Sequence, residues 1–326
     1  DYCYNNPMTV DVTKFVQPNR ENLLAVRIID PSADQPVDNL LEGNVPGEKL
    51  WTFTGFEDSV ELQIRAQIRV EDIYARTFPE NGNIRIQSTV VHAGQMSQQV
   101  KIKYSIAAVR TRLSTIYAEK DITVEPGENL IEETLQINGH RLWSLEDPYL
   151  YRVAVRVETG TNVDERNVRV GFRDFRVEDG HFKLNGKRIY LKCGHTGYEM
   201  PVGNRVATVN SDFYRRDIYM AKAAGYNSIR ILQSPPHQQT LDFCDEIGFM
   251  VMVEPRGGWL YDDGPHMWDR YKMSIDKTFK RDRNHPSVTM WGLLNEHPWA
   301  LGDSEQFRKT VAYLSEMRKI DDSRLI

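Results

Sequence analysis

The residues of this 326-residue chain that are best suited to catalysis follow an apolar segment near its end. The run SVTMWGLL, residues 287–294, stops at an amide and a carboxylate, Asn295 and Glu296. A carboxyl group there can act as a general acid if burial beside aromatic rings such as Trp291 disfavours its charged form. The neighbouring amide offers a donor and an acceptor to a substrate hydroxyl. The alternative is that Glu296 only interacts with the dipole of a following helix.

Other residues of the same kind follow or lie within the apolar segments upstream: Tyr198, Arg230, Gln233, Glu254 and Trp259. In an α/β barrel the loops that follow the strands meet at one face, where the chemistry takes place. We therefore expect five polar residues of the strand ends to converge on one face: Asn295, Glu296, Arg230, Gln233 and Glu254. For Arg230 an ordinary structural ion pair is the alternative.

Strand and helix patterns alternate after Gly171, and these elements would position the polar residues. A turn at Asn185-Gly186 forms a hairpin that leads into a predicted strand at 188–193. Helices are predicted at 211–224, 237–247, 265–283 and 304–319, and strands at SIRIL, FMVMV and SVTMWGLL between them. Another strand is predicted to begin at Arg324. Four βα units with apolar strands indicate a parallel sheet, either open or closed into a barrel.

Residues 1 to about 170 have the pattern of antiparallel strands separated by turns. Segments such as TVDVTKFV, NLLAVRII and NIRIQSTVV alternate or are β-branched, and their spacing of roughly ten residues is typical of sandwiches. We expect a break near residues 66–71. The sequence therefore predicts three parts: the end of one sandwich at 1–68, an immunoglobulin-like sandwich at 69–170, and an α/β domain at 171–326.

Composition narrows the range of functions. Hydrophobic residues make up 40% and the net charge is −5, so the chain has the composition of a globular protein and a charge that disfavours nucleic acid or anionic membrane as a partner. No apolar run reaches the ~18 residues that a membrane-spanning helix needs. The glycine-rich dinucleotide-binding motif is absent after the first α/β strand. Three cysteines with no metal-ligand spacing are expected to be buried thiols.

The first residues, DYCYNNPMTV, lack the features of a signal peptide and look like the interior of a longer sequence. Localisation therefore stays open, with a periplasmic or secreted parent protein as one alternative.

Four segments of the second half form a recognisable series: GFRDF with HFKLNGKRIYLKCG, then DIYMAKAAGYNSIRI, LDFCDEIGFMVMVE and RDRNHPSVTMWGLLNE. They resemble the catalytic domain of glycoside hydrolase family 2, the group of β-galactosidases, β-glucuronidases and β-mannosidases. The front of the chain is also similar, since NLLAVRIID resembles the end of the family's sugar-binding jelly roll. The fold class implied is a jelly-roll remnant, an immunoglobulin-like β-sandwich and the first half of a (β/α)8 TIM barrel.

The resemblance implies a retaining exo-β-glycosidase that needs no cofactor. The Glu and His pair that binds a metal in some β-galactosidases is not evident in EPRGGW, residues 254–259, so no metal is expected. In it, Glu296 matches the general acid/base and Asn295 the amide that holds the sugar 2-hydroxyl. Arg230 matches an arginine beneath the nucleophile, while Tyr198, Gln233 and Glu254 lie near the sugar pocket. The aromatic face of Trp259 could stack on a sugar ring, with packing in its loop as the alternative.

Two departures from the family's β-galactosidase pattern bear on specificity. Thr196 and Tyr198 stand where that pattern has Asn and His, and Gln233-Ser234-Pro235 replaces His-Tyr-Pro. Galactose specificity is therefore in doubt. The family's nucleophile belongs to strand seven, and the sequence ends near strand five, so the 326 residues alone are expected to be inactive.

Two other functions remain as alternatives. A carbohydrate-binding fragment without activity would have the same architecture, and a scaffold protein would have the fold without the chemistry; the pair Asn295 and Glu296 weighs against the scaffold. The expected partner is a β-linked glycoside. We also expect self-association through the uncovered edge of the half-barrel.

Overall fold

The computed structural model describes residues 7–27, 56, 59–160, 162–197, 212–232, 235–257, 267–295 and 305–326. It contains an antiparallel sandwich, a small antiparallel sheet and a parallel sheet with helices. Among these residues, no helix is both long enough and apolar enough to cross a membrane.

The sandwich consists of seven antiparallel strands: β1 (Ile68–Phe78), β2 (Asn83–His92), β3 (Gln98–Ala108), β4 (Ser114–Val124), β5 (Gly127–Gln136), β6 (Tyr151–Thr159) and β7 (Asn162–Val170). One sheet has the order β1-β2-β5 and the other the order β4-β3-β6-β7, so the chain changes sheets after β2, β4 and β5. Alternate residues of β2 are buried, as expected for a strand with one face against a core. This is the immunoglobulin-like sandwich predicted from the strand spacing.

The N-terminal part differs from the prediction. Residues 9–16 and 22–27 were predicted as strands, but they form turns and irregular structure and are nearly all exposed. That prediction was wrong for these residues, because a strand needs a neighbouring strand for its backbone hydrogen bonds and no described strand pairs with them. Residues 1–6, 28–55 and 57–58 lie outside the described part, so the jelly-roll assignment for 1–68 stays a prediction.

Three short strands connect the sandwich to the parallel sheet: β8 (Phe175–Glu178), β9 (His181–Leu184) and β10 (Lys187–Arg188). The predicted turn at Asn185-Gly186 is confirmed, with φ of 52° and 76°. A second tight turn at Asp179-Gly180, with φ of 53° and 72°, joins β8 to β9. Positive φ at both central residues is the geometry that two-residue hairpins favour, and it suits the Asn-Gly and Asp-Gly pairs.

The parallel sheet has the order β11-β12-β13-β14. Its strands are β11 (Cys193–Gly197), β12 (Ser228–Leu232), β13 (Met250–Val253) and β14 (Val288–Trp291), and its helices are α1 (Asp212–Ala223), α2 (Gln238–Ile247), α3 (Met267–Asp282) and α4 (Glu305–Ile320). The four predicted helices are confirmed. Leu325 forms an isolated parallel bridge with Met290, which agrees with a strand that begins near Arg324, but no full strand is formed by the last described residues.

The first strand of the parallel sheet lies further along the chain than predicted. The prediction was 188–193, whereas β11 runs from Cys193 to Gly197. The apolar pattern of residues 188–193 has a different cause. Ile189 and Leu191 pack against a core cluster beneath the sheet. The chain there is held by the Asn227 side chain, which bonds the Tyr190 carbonyl and the Lys192 amide.

The sandwich and the parallel sheet are joined by the RDRNHP segment, residues 281–286. The Asn284 side chain donates to the Ile73 carbonyl at 2.7 Å and accepts from the Ala75 amide at 2.9 Å, so it pairs with β1 as a strand would. Arg283 forms an ion pair with Asp72. This segment forms the turn from α3 into β14, and it also fixes the sandwich against the parallel sheet.

Candidate active site

Three of the predicted site residues lie in the described part of the chain, and the structure brings them together. They are Arg230 within β12, Glu254 directly after β13 and Asn295 four residues after β14. The predicted residues Glu296, Gln233, Tyr198 and Trp259 lie outside the described residues. The prediction that the strand ends converge is therefore confirmed for Arg230, Glu254 and Asn295.

Strand register explains how Arg230 reaches Glu254. Arg230 pairs with Met252 of the adjacent parallel strand. Glu254 lies two residues beyond Met252, so both side chains project from the same face of the sheet. The Nε atom of Arg230 donates to Oε1 of Glu254 at 2.6 Å.

The Glu254 carboxylate is buried, since its side chain is 1% exposed, whereas Arg230 is 32% exposed. A buried carboxylate requires a compensating positive charge or hydrogen bonds, and Arg230 supplies both. The guanidinium group thus contacts a buried carboxylate through Nε, while the Arg230 side chain stays partly exposed to solvent. Glu254 is therefore an anchor for Arg230, in agreement with the site-adjacent role expected from the sequence.

Arg230 also fixes the amide of Asn295. Its Nη2 atom donates to Oδ1 of Asn295 at 2.8 Å, and Asn295 is only 6% exposed. Because arginine has only donors, the oxygen of the amide must be the atom that faces it. The Nδ2 group makes no hydrogen bond to another described residue, so it is the donor that this arrangement offers to a ligand.

Gly292 makes room for the buried carboxylate. A Cβ atom at this position would lie 2.7 Å from Cγ of Glu254 and 2.7 Å from Cε of Met252. Contacts this short do not occur between real carbon atoms, so a larger residue at 292 would displace one of the two side chains. The glycine after Trp291 is thus required by close packing rather than by an unusual backbone angle.

A hydrogen bond from α3 holds the segment that leads to Asn295. The Tyr271 hydroxyl donates to the Leu293 carbonyl, two residues before Asn295. Tyr271 is fully buried, and burial together with the negative charge of Glu254 raises the pKa of its hydroxyl. The hydroxyl therefore remains protonated and available as a donor.

A second anchor lies at the end of β14. The indole Nε1 of Trp291 donates to Oδ2 of Asp321 at 2.8 Å, and its ring stacks on Phe279 at a centroid distance of 4.1 Å. Burial alone would raise the pKa of Asp321, but the Arg324 guanidinium and the hydrogen bonds from Ser323 and Trp291 hold it well below its usual range. Trp291 thus belongs to the core.

A cluster with metal-ligand atoms lies before β14 rather than after it. Ligand atoms of Asp242, Asp245 and His285 are within 4.8 Å of one another. These atoms already have partners: Asp245 accepts from Nδ1 of His285 at 2.6 Å and from the Ser287 amide at 2.9 Å, and Asp242 forms an ion pair of 2.5 Å with Arg169. We interpret the cluster as a hydrogen-bond network between the parallel sheet and the sandwich.

Sequence reasoning missed three supporting residues: Tyr271, Gly292 and Asp321. Tyr271 has the helical spacing of an ordinary core residue, and its role depends on a carbonyl that no sequence pattern identifies. Gly292 inside an apolar strand pattern was a usable signal, because glycine there often marks a close approach. Asp321 is one of several acids near the end of α4, and only the fold reveals that it is buried.

Comparison with known proteins agrees with this architecture. The family model described as "Glycosyl hydrolases family 2, TIM barrel domain" matches residues 175–326, and "Glycosyl hydrolases family 2" matches residues 68–173. The chain therefore belongs to glycoside hydrolase family 2. It comprises the β-sandwich of this family and the start of its TIM barrel domain.

Solved structures with the same fold include a family 2 member from Bacteroides cellulosilyticus, with a TM-score of 0.71, 24% identity, and coverage of 79% of this chain and 35% of that one. A β-glucuronidase from Parabacteroides merdae has a TM-score of 0.66, 24% identity, and coverage of 79% and 33%. A β-galacturonidase from Eisenbergiella tayi has a TM-score of 0.70, 25% identity, and coverage of 79% and 45%. The chain thus spans between a third and a half of the length of these structures.

Proposed function

We propose that this chain is part of a retaining exo-β-glycosidase in which Glu296 is the general acid/base. The observation that carries the proposal is the hydrogen bond between Arg230 and Asn295. It holds the amide nitrogen of Asn295 free for a ligand at the carboxyl end of a barrel strand. This is the end of the fold where such barrels bind and convert substrates, and Glu296 is the next residue.

In this proposal Glu296 protonates the leaving-group oxygen of the glycosidic bond and later activates a water molecule. Asn295 donates from Nδ2 to the 2-hydroxyl of the sugar. The hydrogen bond from Arg230 prevents the Asn295 side-chain amide from flipping, so its Nδ2 donor stays on the substrate side. Tyr271, through Leu293, holds the backbone that leads to Asn295.

A retaining mechanism needs a second carboxylate about 5–5.5 Å from the first, which attacks the sugar carbon. Glu254 is a poor candidate because it is buried and already pairs with Arg230. We infer that the nucleophile belongs to a barrel strand that is not among residues 175–326. Arg230, whose Nη2 atom bonds Asn295, would also help to keep that carboxylate ionised through its positive charge.

Sequence differences and similar solved structures define the sugars to test. The departures at Thr196, Tyr198 and Gln233 from the β-galactosidase pattern argue against a simple transfer of galactose specificity. The similar solved structures include a β-glucuronidase and a β-galacturonidase. Substrates to test should therefore include aryl β-glucuronides and β-galacturonides beside aryl β-galactosides, β-glucosides and β-mannosides.

The proposal is tested by assaying these aryl glycosides with two proteins, the 326-residue chain and a form with a complete eight-stranded barrel. We expect turnover only by the complete form, with loss of activity in its Glu296→Gln variant toward substrates that have poor leaving groups. Turnover by the 326-residue chain that is abolished by Glu254→Gln would instead make Glu254 the second carboxylate. Sugar binding without turnover in both proteins would favour the alternative of a binding module.

A further inference from the structure

A small cleft lies between the sandwich and the parallel sheet, apart from the candidate active site. It is bordered by the end of β1, the segment after β7, the RDRNHP segment and the residues after α4, and its volume is about 20 Å³. Four of the residues that line it are arginines: Arg76, Arg173, Arg283 and Arg324. We call it the arginine cleft.

Three of these arginines have a carboxylate partner. Arg76 pairs with Asp322 at 3.0 Å, Arg324 pairs with Asp321 at 2.8 Å, and Arg283 pairs with Asp72. The carboxylates of Asp72 and Asp322 are 37% and 55% exposed, so water screens part of their charge. The positive charges of Arg283 and Arg76 are therefore only partly neutralised on the solvent side of the cleft.

Arg173 is the exception. It is 7% exposed, and its three hydrogen bonds go to backbone carbonyls, from Nε to Pro286, from Nη1 to Ser323 and from Nη2 to Val288. Among the described residues no carboxylate lies within ion-pair distance of it. Carbonyl oxygens satisfy donors but carry no net charge, so four guanidinium groups face three carboxylates around the cleft.

Two further observations agree with an excess of positive charge. Burial lowers the pKa of Arg173 to about 9; the positive charges of Arg324 and Arg76 add to this effect, and the negative charge of Asp321 opposes it. The Nε atom of Arg283 is buried without a hydrogen-bond partner among the described residues, and that side chain is only 10% exposed. An unpaired buried donor and an uncompensated charge both cost free energy, and a bound anion would relieve both.

We propose that the arginine cleft binds a small inorganic anion of the size of chloride, which holds the sandwich against the start of the barrel. The class of ligand follows from the size and charge of the cleft. About 10–15 Å³ suffices for one water-sized guest, so the cleft has room for a monatomic ion and not for a sugar acid or a nucleotide. The ion would lie between arginines from both domains, since Arg76 belongs to β1 and Arg283 and Arg324 to the barrel.

Crystals soaked in sodium bromide test the site directly, because bromide replaces chloride and scatters anomalously. We expect an anomalous peak in the cleft, within hydrogen-bonding or ion-pairing distance of Arg173 or Arg283. A water molecule in the cleft, with bromide only at other surface sites, would overturn the proposal. This measurement uses the unaltered protein, so it does not depend on whether a variant folds.

Thermal unfolding gives an independent test in solution. At constant ionic strength, replacing gluconate by chloride should raise the melting temperature saturably, by about 2–4 °C if the site contributes as one ordinary ligand does. Arg173→Gln should abolish the chloride-dependent shift, whereas the control Arg152→Gln, at an exposed position of β6, should retain it. Equal shifts in the two variants would mean that chloride acts elsewhere or nonspecifically.

Discussion

Arg230 bonds Asn295 through Nη2 and Glu254 through Nε, so one guanidinium group connects the ends of three neighbouring parallel strands. The two bonds have different roles. Glu254, buried and charged, fixes the position of the guanidinium group, and the guanidinium group in turn sets which atom of the Asn295 amide faces the open side. The orientation of the Asn295 amide thus depends on residues that need not contact a substrate.

Replacing Arg230 should destabilise the fold as well as the site. In Arg230→Met the buried Glu254 carboxylate loses the arginine as an ion-pair partner, and we expect a loss of about 2–4 kcal/mol in the free energy of unfolding. Arg188→Met, at an exposed position of β10, should change it by less than about 0.5 kcal/mol. Urea denaturation of both variants measures the difference; equal stabilities would show that Arg230 does not support Glu254.

Gly292→Ala should strain the packing around Glu254. The added methyl group would meet Glu254 and Met252 at 2.7 Å, and we expect a loss of about 1–3 kcal/mol. Gly194→Ala is the matched control in β11, because its nearest neighbour, the ring of Tyr226, would lie 3.7 Å away. Unfolding by denaturant should separate the two variants, and an alanine tolerated equally at both positions would contradict the packing described here.

Tyr271→Phe should loosen the segment before Asn295. The variant leaves the Leu293 carbonyl without its buried donor, which should cost about 1–3 kcal/mol. Faster amide hydrogen exchange should appear in residues 291–295, while the strands of the sandwich remain unchanged. Tyr226→Phe removes a hydroxyl from a side chain that is 45% exposed, and it should alter neither measurement. Unchanged exchange at 291–295 in Tyr271→Phe would remove Tyr271 from the positioning role.

The pH dependence of stability should contain a contribution from His285. Burial disfavours its charged form, but the nearby Asp245 outweighs this and raises the pKa of His285 above its usual 6.5. Because the pKa is higher in the folded state, the stabilisation is fully present below about pH 6.5 and is lost as the pH rises through the folded-state value.

Between about pH 6 and pH 9 the free energy of unfolding should therefore fall more in the unaltered protein than in His285→Gln. His181→Gln, at an exposed position of β9, is the control and should retain the full pH dependence. Parallel pH profiles for the unaltered protein and His285→Gln would contradict a charged pair between His285 and Asp245.

The repeating patterns of the sequence were enough to predict most of the fold. Alternation with period two identified the sandwich strands, and apolar helical spacing identified the helices. The strand predicted at residues 9–16 was wrong because an alternating pattern shows that side chains suit a strand, but it does not show that a partner strand is present. The prediction of the first barrel strand was wrong because Ile189 and Leu191 pack, partly buried, against a core cluster without joining the sheet.

For the candidate active site, the sequence predicted which residues come together but not how they bond. The position of Arg230, Glu254 and Asn295 at strand ends followed from chain order and the geometry of parallel sheets. Their hydrogen bonds did not, because register and side-chain direction decide which atoms meet. The roles of Tyr271 and Asp321 depend on contacts across more than 20 residues of sequence, and no local pattern indicates them.

The most direct test of the proposed chemistry is the stereochemistry of azide rescue in Glu296→Ala, measured in a form of the protein with a complete barrel. A dinitrophenyl β-glycoside needs little acid assistance, so the variant should still form the glycosyl-enzyme intermediate, and azide should then release it as the β-glycosyl azide. Proton NMR of the product distinguishes the two anomers. The β-azide is the predicted result, whereas an α-azide would identify Glu296 as the nucleophile and contradict its assignment as the general acid/base.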